Sequence, residues 1–112
     1  MKINDNLVIA KEFKDNPGAR YRDDGPNSGQ EFLEDLLLPR FTKAVSEGYI
    51  LLIDLTGVWG YPSSFVSGSF GKLSIDHGPD LVLKHLKFKS DSNPLNVDKI
   101  IAEIKNPTPG KK

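Results

Sequence analysis

The most apolar stretch of the chain lies near its middle, where residues 50–55 read ILLIDL. An apolar run this continuous predicts a central β-strand that is buried on both faces, as in a sheet covered by helices. Turn-forming residues at 56–57 (Thr-Gly) and 60–62 (Gly-Tyr-Pro) then end the strand and redirect the chain. We therefore expect the domain to be built around this strand.

Apolar residues at helical spacing predict a long helix before the central strand. It begins at a capping box, in which Ser28 is the N-cap and Glu31 occupies the third helical position. The apolar positions recur up to about residue 46, and Gly48 is expected to end the helix as a C-cap. Pro39 lies inside this pattern and should kink the helix or split it in two, because proline removes one backbone hydrogen bond.

Further helices and strands follow from the same kind of pattern. A second helix should begin after the central strand, with Ser63 or Ser64 as its N-cap. A third should carry apolar residues at i, i+3, i+4 and i+7 from Val97 to Ile104. Strands are expected within residues 2–13 and from Leu86 to Lys89. This alternation predicts a small α/β fold whose parallel strands are joined by right-handed crossovers.

The composition fits a single globular domain. The chain has 112 residues, of which 38% are hydrophobic and 27% are charged, and these are ordinary values for a folded protein. We expect one domain over residues 1–105. Residues 106–112 have nothing apolar to bury and are expected to form a flexible tail.

Charge and residue content argue against several classes of function. Fifteen basic and fifteen acidic side chains cancel, which argues against binding to nucleic acid and to anionic membrane surfaces. The absence of cysteine excludes disulfides, thiolate nucleophiles and cysteine-ligated metals. The chain shows neither a signal-peptide pattern nor an apolar run of the roughly 18 residues that span a bilayer, so the expected location is the cytoplasm.

The sequence contains no recognisable catalytic constellation. It has no nucleophile–base pair and no P-loop, and His77 and His85 show neither the HxH nor the HxxxH spacing of metal ligands. We therefore expect a protein that is not an enzyme and that holds no metal and no cofactor.

A long polar loop precedes the first long helix. Residues 15–29 (DNPGARYRDDGPNSG) consist mostly of turn-forming and charged residues, and a loop of this length in a small domain is usually functional or disordered. Arg20 and Arg22 lie just before the free N–H groups expected at Ser28 and Gly29, a combination that predicts an anion-binding site. The alternative is that both arginines pair with acidic neighbours on the surface: Asp23, Asp24 or Glu31.

The segment after the central strand contains candidates for a partner surface. Trp59 and Tyr61 are aromatic residues of the kind that anchor binding hot spots, and the alternative is that they pack within the loop. Ser67 and Gly68 are small, so another surface could approach the second helix closely there.

Three segments of the chain resemble the STAS-like domain family of unknown function. They read PGARYRDDGPNSGQEF (residues 17–32), LLLPRF (residues 36–41) and IDLTGVWGYPSSFVSGSFGKL (residues 53–73). Members of that family carry a PGxRYxxDGPxSGxxFR loop-and-helix start and a GYxxSFLEEAFGGL strand-loop-helix segment. In this chain Ser67 and Gly68 stand where the family has two acidic residues.

The resemblance implies the STAS architecture, a single small domain with a mostly parallel or mixed sheet of about four strands and helices packed mainly on one face. It also implies a non-enzymatic role in regulation or protein interaction, with a protein partner such as a histidine-kinase-like ATPase. STAS anti-sigma-factor antagonists are phosphorylated on a serine at the start of the second helix, which makes Ser63 and Ser64 candidate phosphoacceptors. The second interpretation is a domain that binds a nucleotide or another small anion through Arg20, Arg22 and the two helix starts.

Overall fold

The computed structural model describes residues 1–91 and 93–109, which contain one sheet of three parallel strands in the order β1–β2–β3. The strands are β1 (Ile3–Val8), β2 (Ile50–Asp54) and β3 (Leu86–Lys89). Leu7 lies opposite Ile53, and Leu51 lies opposite Leu86. The central strand and the α/β class are confirmed, and the expected number of about four strands is one too many for the described residues.

The described residues also form five helices and one 3₁₀ turn (Arg22–Asp24). The helices are α1 (Ile9–Glu12), α2 (residues 29–47), α3 (residues 63–77), α4 (Pro79–His85) and α5 (Leu95–Lys105). Both α2 and α3 contain a π-helical turn, at Leu33–Leu37 and at Ser67–Gly71. Across the same residues, no helix has both the length and the apolar character that crossing a membrane requires.

The core lies on one face of the sheet. Leu51 and Ile53 are fully buried, whereas Leu52 is half-buried. Side chains alternate between the two faces of a strand, so Leu52 lies on the opposite face, where its neighbours in register are the exposed residues Asn6 and Lys87. On that face Ile50 is only 7% exposed, so β2 is covered on both faces at its start and partly open at Leu52. The expectation that β2 is buried on both faces therefore holds only in part, and the expectation of helices mainly on one face is confirmed.

Aromatic rings fill the space between the sheet and the two long helices. Phe32 of α2 lies within 5.3–5.8 Å, between ring centroids, of Phe13, Phe65 and Phe70. Tilted aromatic pairs at such distances add to the free energy gained from apolar burial. These contacts join α2 to α3 in front of the sheet.

Helix α2 has the predicted ends and an unpredicted interior. The Ser28 hydroxyl accepts a hydrogen bond from the Glu31 N–H at 3.0 Å, as expected for an N-cap. Gly48 ends the helix with φ +75°, a conformation that favours glycine. The π turn at Leu33–Leu37 comes just before Pro39, so the helix is locally widened there and continues through the proline undivided.

The start of α3 differs from the prediction. Its N-cap is Pro62, whose backbone is extended, and no side-chain hydrogen bond caps the helix. Ser63 and Ser64 are the first two helical residues. The prediction that one of these serines is the N-cap is therefore wrong, because the helix already begins at Ser63, one residue too early for Ser63 and two residues too early for Ser64 to take that position.

The segment that follows α5 is hydrogen-bonded to Glu103, a residue of that helix. Thr108 donates to the Glu103 carboxylate through its N–H at 2.7 Å and through its hydroxyl at 3.0 Å. Residues 110–112 of the expected tail lie outside the described residues, and the flexibility of the tail stays a prediction.

Candidate functional site

The first backbone N–H groups of α2 are already bonded. The Gly29 N–H donates to the Ala19 carbonyl at 2.8 Å, and the Gln30 N–H donates to the Arg20 carbonyl at 3.0 Å. The third N–H of the helix bonds the Ser28 hydroxyl, and both Ser28 and Gly29 are buried. The hydrogen bonds to the Ala19 and Arg20 carbonyls hold the polar loop against the helix. The first three N–H groups of the helix are therefore unavailable to the anion that was predicted to bind at Ser28 and Gly29.

Arg22 is engaged by acidic side chains of α2. Its Nε lies 3.1 Å from Glu34 Oε1, and its Nη2 lies 2.9 Å from Asp35 Oδ1. Hydrogen bonding to Glu34, followed by that to Asp35, raises the pKa of the Arg22 guanidinium. The alternative in which the arginine pairs with surface acids applies to Arg22, but its partners lie three and four residues, about one helical turn, beyond Glu31, the last of the acids named from the sequence.

Arg20 lies apart from that network. Its guanidinium carbon is 5.9 Å from the centre of the Tyr21 ring. Within the described residues its guanidinium has one hydrogen-bond acceptor, the Pro109 carbonyl, at 3.4 Å. The structure thus separates the two arginines that the sequence predicted to act together.

The loop between β2 and α3 holds one exposed aromatic residue and one buried one. Trp59 is 96% exposed, whereas Tyr61 is 2% exposed and its hydroxyl donates to the Leu55 carbonyl at 3.1 Å. Burial, with a smaller contribution from the Asp54 carboxylate, raises the pKa of the Tyr61 phenol. Trp59 is exposed, and its role as a partner anchor stays a prediction. The prediction is wrong for Tyr61, which is buried and bonded within its own loop.

The small residues of α3 serve packing within the fold. Ser67 is 5% exposed and Gly68 is buried. A Cβ atom on Gly68 would lie 2.5 Å from the Arg20 carbonyl oxygen, and one on Gly29 would lie 2.4 Å from the Phe65 carbonyl oxygen. Such distances show backbone-to-backbone contact between the helices and the loop. The prediction that Ser67 and Gly68 admit a partner protein is therefore wrong, because α2 and the loop already occupy that face.

Both candidate phosphoacceptors, Ser63 and Ser64, are exposed on the first turn of α3. Ser64 also lines an open cavity of about 730 Å³ beneath the polar loop. The other residues around this cavity are Ala19, Arg20, Tyr21, Asp23, Asp24 and Gln30. A group added to Ser64 would therefore share a cavity with one cation and two carboxylates.

A second open groove, of about 520 Å³, lies beside Trp59. Its walls come from residues 15–17, from residues 59–62 and from Asn96 and Lys99 of α5. The Lys99 ammonium donates to the Tyr61 carbonyl, which ties α5 to the loop. The Asn96 side-chain nitrogen is buried and has no hydrogen-bond partner among the described residues.

A third cavity, of about 330 Å³, lies between α2 and α3 where their π turns begin. The sequence did not predict this cavity, because a π turn leaves no mark in the periodicity of apolar residues. Ser67 lines this cavity, although the sequence singled that residue out for a different reason.

A family model described as a STAS-like domain of unknown function (DUF4325) matches residues 28–96 of the chain. The matched interval includes α2, the central strand, the loop with Trp59 and all of α3. No curated protein and no solved structure matches the chain.

Proposed function

The chain belongs to the family of STAS-like domains of unknown function, and from this premise we propose that it is a regulatory module that binds a protein partner through the loop between β2 and α3. The observation that carries this function is the nearly complete exposure of Trp59. Its loop neighbours Val58 and Tyr61 are buried, so the backbone that presents the indole is held in place. The backbone that carries the indole therefore needs little ordering on binding, and tryptophan is enriched among the residues that dominate binding energy.

The surroundings of Trp59 favour a protein partner. The groove beside the indole is open, and charged and polar groups such as Asp15, Asn16 and Lys99 lie in its walls. An apolar anchor surrounded by polar groups is the usual anatomy of a protein interface. A partner side chain in the groove could also supply an acceptor for the buried Asn96 amide.

Phosphorylation of Ser64 or Ser63 is the regulatory step that we propose for this surface. Both hydroxyls are exposed, and a phosphate on the first turn of α3 would be favoured by the helix dipole. On Ser64, the phosphate would face Arg20 as well as Asp23 and Asp24 across the shared cavity. Its charge would therefore change the electrostatic potential next to the Trp59 loop. A partner that phosphorylates serine, such as a histidine-kinase-like ATPase, fits this role.

The test is a measured affinity for a purified partner. Partners captured from the native host by the wild-type chain are purified, and their dissociation constants are then measured by calorimetry for wild type, Trp59→Ala and Leu95→Ala. Leu95 is the matched control, since it is also a large exposed apolar residue (70%) and lies on α5 outside the groove lining. We expect Trp59→Ala to weaken binding at least about tenfold, as for a hot-spot residue, and Leu95→Ala to leave it unchanged. Equal affinity of Trp59→Ala and wild type would refute the role of this loop.

A further inference from the structure

The cavity between α2 and α3 has the size of a small-molecule site. Its volume of about 330 Å³ lies at the lower end of the range of about 300–1,000 Å³ found for ligand pockets. The residues that line it are Arg20, Tyr21, Gln30, Leu33, Glu34, Ser67, Gly68, Lys72, Ile75 and Thr108. None of them lines the groove beside Trp59, so the two sites are separate.

Two π turns shape this cavity. Each helix contributes the first two residues of its π turn to the lining. These residues are Leu33 and Glu34 of α2, and Ser67 and Gly68 of α3. Beside them the helices are in backbone contact at Gly29 and Gly68, and the cavity opens where the widened turns begin. A π turn inside an α-helix is rare and is frequently found at functional sites. Two of them on neighbouring helices at one cavity indicate a site maintained for binding.

The Ser67 hydroxyl gives a second, independent indication of a ligand. The side chain is 95% buried, as follows from its 5% exposure, and it lies in the cavity wall. Its Oγ has no hydrogen-bond partner among the described residues. Nearby Ser69 shows the ordinary arrangement, since its hydroxyl donates to the Phe65 carbonyl at 2.8 Å. A buried hydroxyl without a partner costs free energy, and an acceptor on a bound molecule would remove that cost.

The charges around the cavity select an anion. Arg20 has five N–H donors and only the long contact to Pro109 among the described residues. Lys72 adds a second cation, which is 3.1 Å from Asp76 on the exposed surface of α3. Glu34 is the carboxylate in the lining, and its oxygens already accept from Arg22 and Gln30. The Ser67 hydroxyl and the remaining N–H groups of Arg20 can therefore both donate to an anion.

We propose that this cavity binds a small organic carboxylate. The carboxylate pairs with the Arg20 guanidinium, whose planar fork matches a carboxylate in geometry, and accepts a hydrogen bond from the Ser67 hydroxyl. The apolar body of the molecule lies against Leu33 and Ile75, of which Ile75 is otherwise half exposed to water. This site is separate from the groove beside Trp59 and shares Arg20 with the cavity beside Ser64.

Benzoate is a suitable probe, and benzamide is its matched neutral control because the two have the same shape. Chemical shifts of backbone amides are followed by NMR in ¹⁵N-labelled full-length chain during titration with each compound. We expect benzoate to shift amides around residues 20, 33 and 67 in a saturable way, and benzamide to bind at least fivefold more weakly. Absence of a saturable benzoate response, or equal binding of benzamide, would overturn the assignment.

Variants test the two named groups. Arg20→Gln and Ser67→Ala should each weaken benzoate binding at least fivefold, whereas the control Lys87→Gln, on the opposite face of the sheet, should leave it unchanged. Ser67→Ala should also raise the melting temperature, because it removes a buried hydroxyl that has no partner. A Ser67→Ala chain with a raised melting temperature and wild-type affinity would show that this hydroxyl is only a packing defect, and would overturn its role in the site.

Discussion

Arg40 holds Asp5 through two parallel hydrogen bonds, from Nε to Oδ2 at 3.0 Å and from Nη2 to Oδ1 at 2.8 Å. The same guanidinium lies within bonding distance of Glu12 and donates to the Asn6 carbonyl at 3.0 Å. One side chain of α2 therefore ties the edge strand β1 and the short helix α1 to the rest of the fold. Both members of the Arg40–Asp5 pair are largely shielded from water, so screening weakens this pair less than it weakens surface pairs.

The Arg40–Asp5 pair predicts a pH dependence of stability. The hydrogen bond from Arg40 is the main cause that lowers the pKa of Asp5 below its usual value of 3.8. The pair therefore stabilises the fold above that value, and the stabilisation is lost as pH falls through the lowered pKa of the folded state. We expect Asp5→Asn to lower the free energy of unfolding by about 1–3 kcal/mol at neutral pH and the difference from wild type to shrink below about pH 4.

Urea unfolding of the two chains at a series of pH values measures this difference. The control is Asp76→Asn, which removes an exposed i,i+4 pair with Lys72 and should cost no more than about 0.5 kcal/mol. A difference between wild type and Asp5→Asn that stays constant down to the lowest pH would contradict the linkage.

Close contact between α2 and α3 predicts that Gly29 tolerates no side chain. Its added Cβ would meet the Phe65 carbonyl oxygen at 2.4 Å and the Gly68 carbonyl carbon at 2.9 Å. Backbone atoms cannot move aside as a flexible side chain can, so Gly29→Ala should destabilise the fold by about 2–3 kcal/mol or more. Thermal or urea unfolding measures the loss.

Gly60 is the matched control for that substitution. A Cβ there would have no atom within 4 Å, and its backbone is outside the left-handed region. Gly60→Ala should be neutral or stabilise by up to about 1 kcal/mol, because alanine restricts the unfolded chain. If both alanine variants unfolded alike, the close approach of the two helices would be wrong.

Adjacent leucines on β2 should respond differently to the same truncation. Leu51 is fully buried on the core face, and Leu52 is half-buried on the other face. Leu51→Ala should cost about 2–5 kcal/mol, as for a cavity in a packed core, and Leu52→Ala less than about 1.5 kcal/mol, since less apolar area is lost. Denaturant midpoints of the two variants decide this, and equal losses would mean that helices cover both faces of the sheet.

A negative charge at the start of α3 should weaken partner binding without weakening the fold. Ser63→Asp and Ser64→Asp place a carboxylate on the first helical turn, where the dipole favours it. We expect melting temperatures within a degree or two of wild type. If the partner covers this turn, the added charge must be desolvated, and affinity should fall about tenfold or more.

Calorimetry with the purified partner measures the effect, with Ser64→Ala as the neutral control. Ser64→Asp should have the larger effect, since that side chain shares a cavity with Asp23 and Asp24. Wild-type affinity in both aspartate variants would remove the proposed switch and leave the two serines without a regulatory role.

Local features of the fold could be predicted from the sequence. Four features lie at the positions that the sequence pattern predicted: the Ser28 cap, the glycine C-cap at Gly48, the strand Leu86–Lys89 and the amphipathic helix α5. Capping depends on side chains within one helical turn, and amphipathic spacing depends on the geometry of a single element. Such information is contained in a short window of sequence.

The candidate sites depended on tertiary structure. Trp59 and Tyr61 are two residues apart and equally aromatic, yet the first is exposed and the second is bonded beneath its own loop. Ser67 and Gly68 were expected at the surface, but both are buried, and Gly68 lies against the backbone of Arg20. The exposure of a residue depends on which distant segments of the chain cover it. The periodicity of apolar residues indicates which face of a helix or strand is buried, but it does not indicate which segment packs against that face. Short windows of sequence therefore specify the helices and strands, while the packing of α2, α3 and the polar loop sets which side chains a partner or ligand can reach.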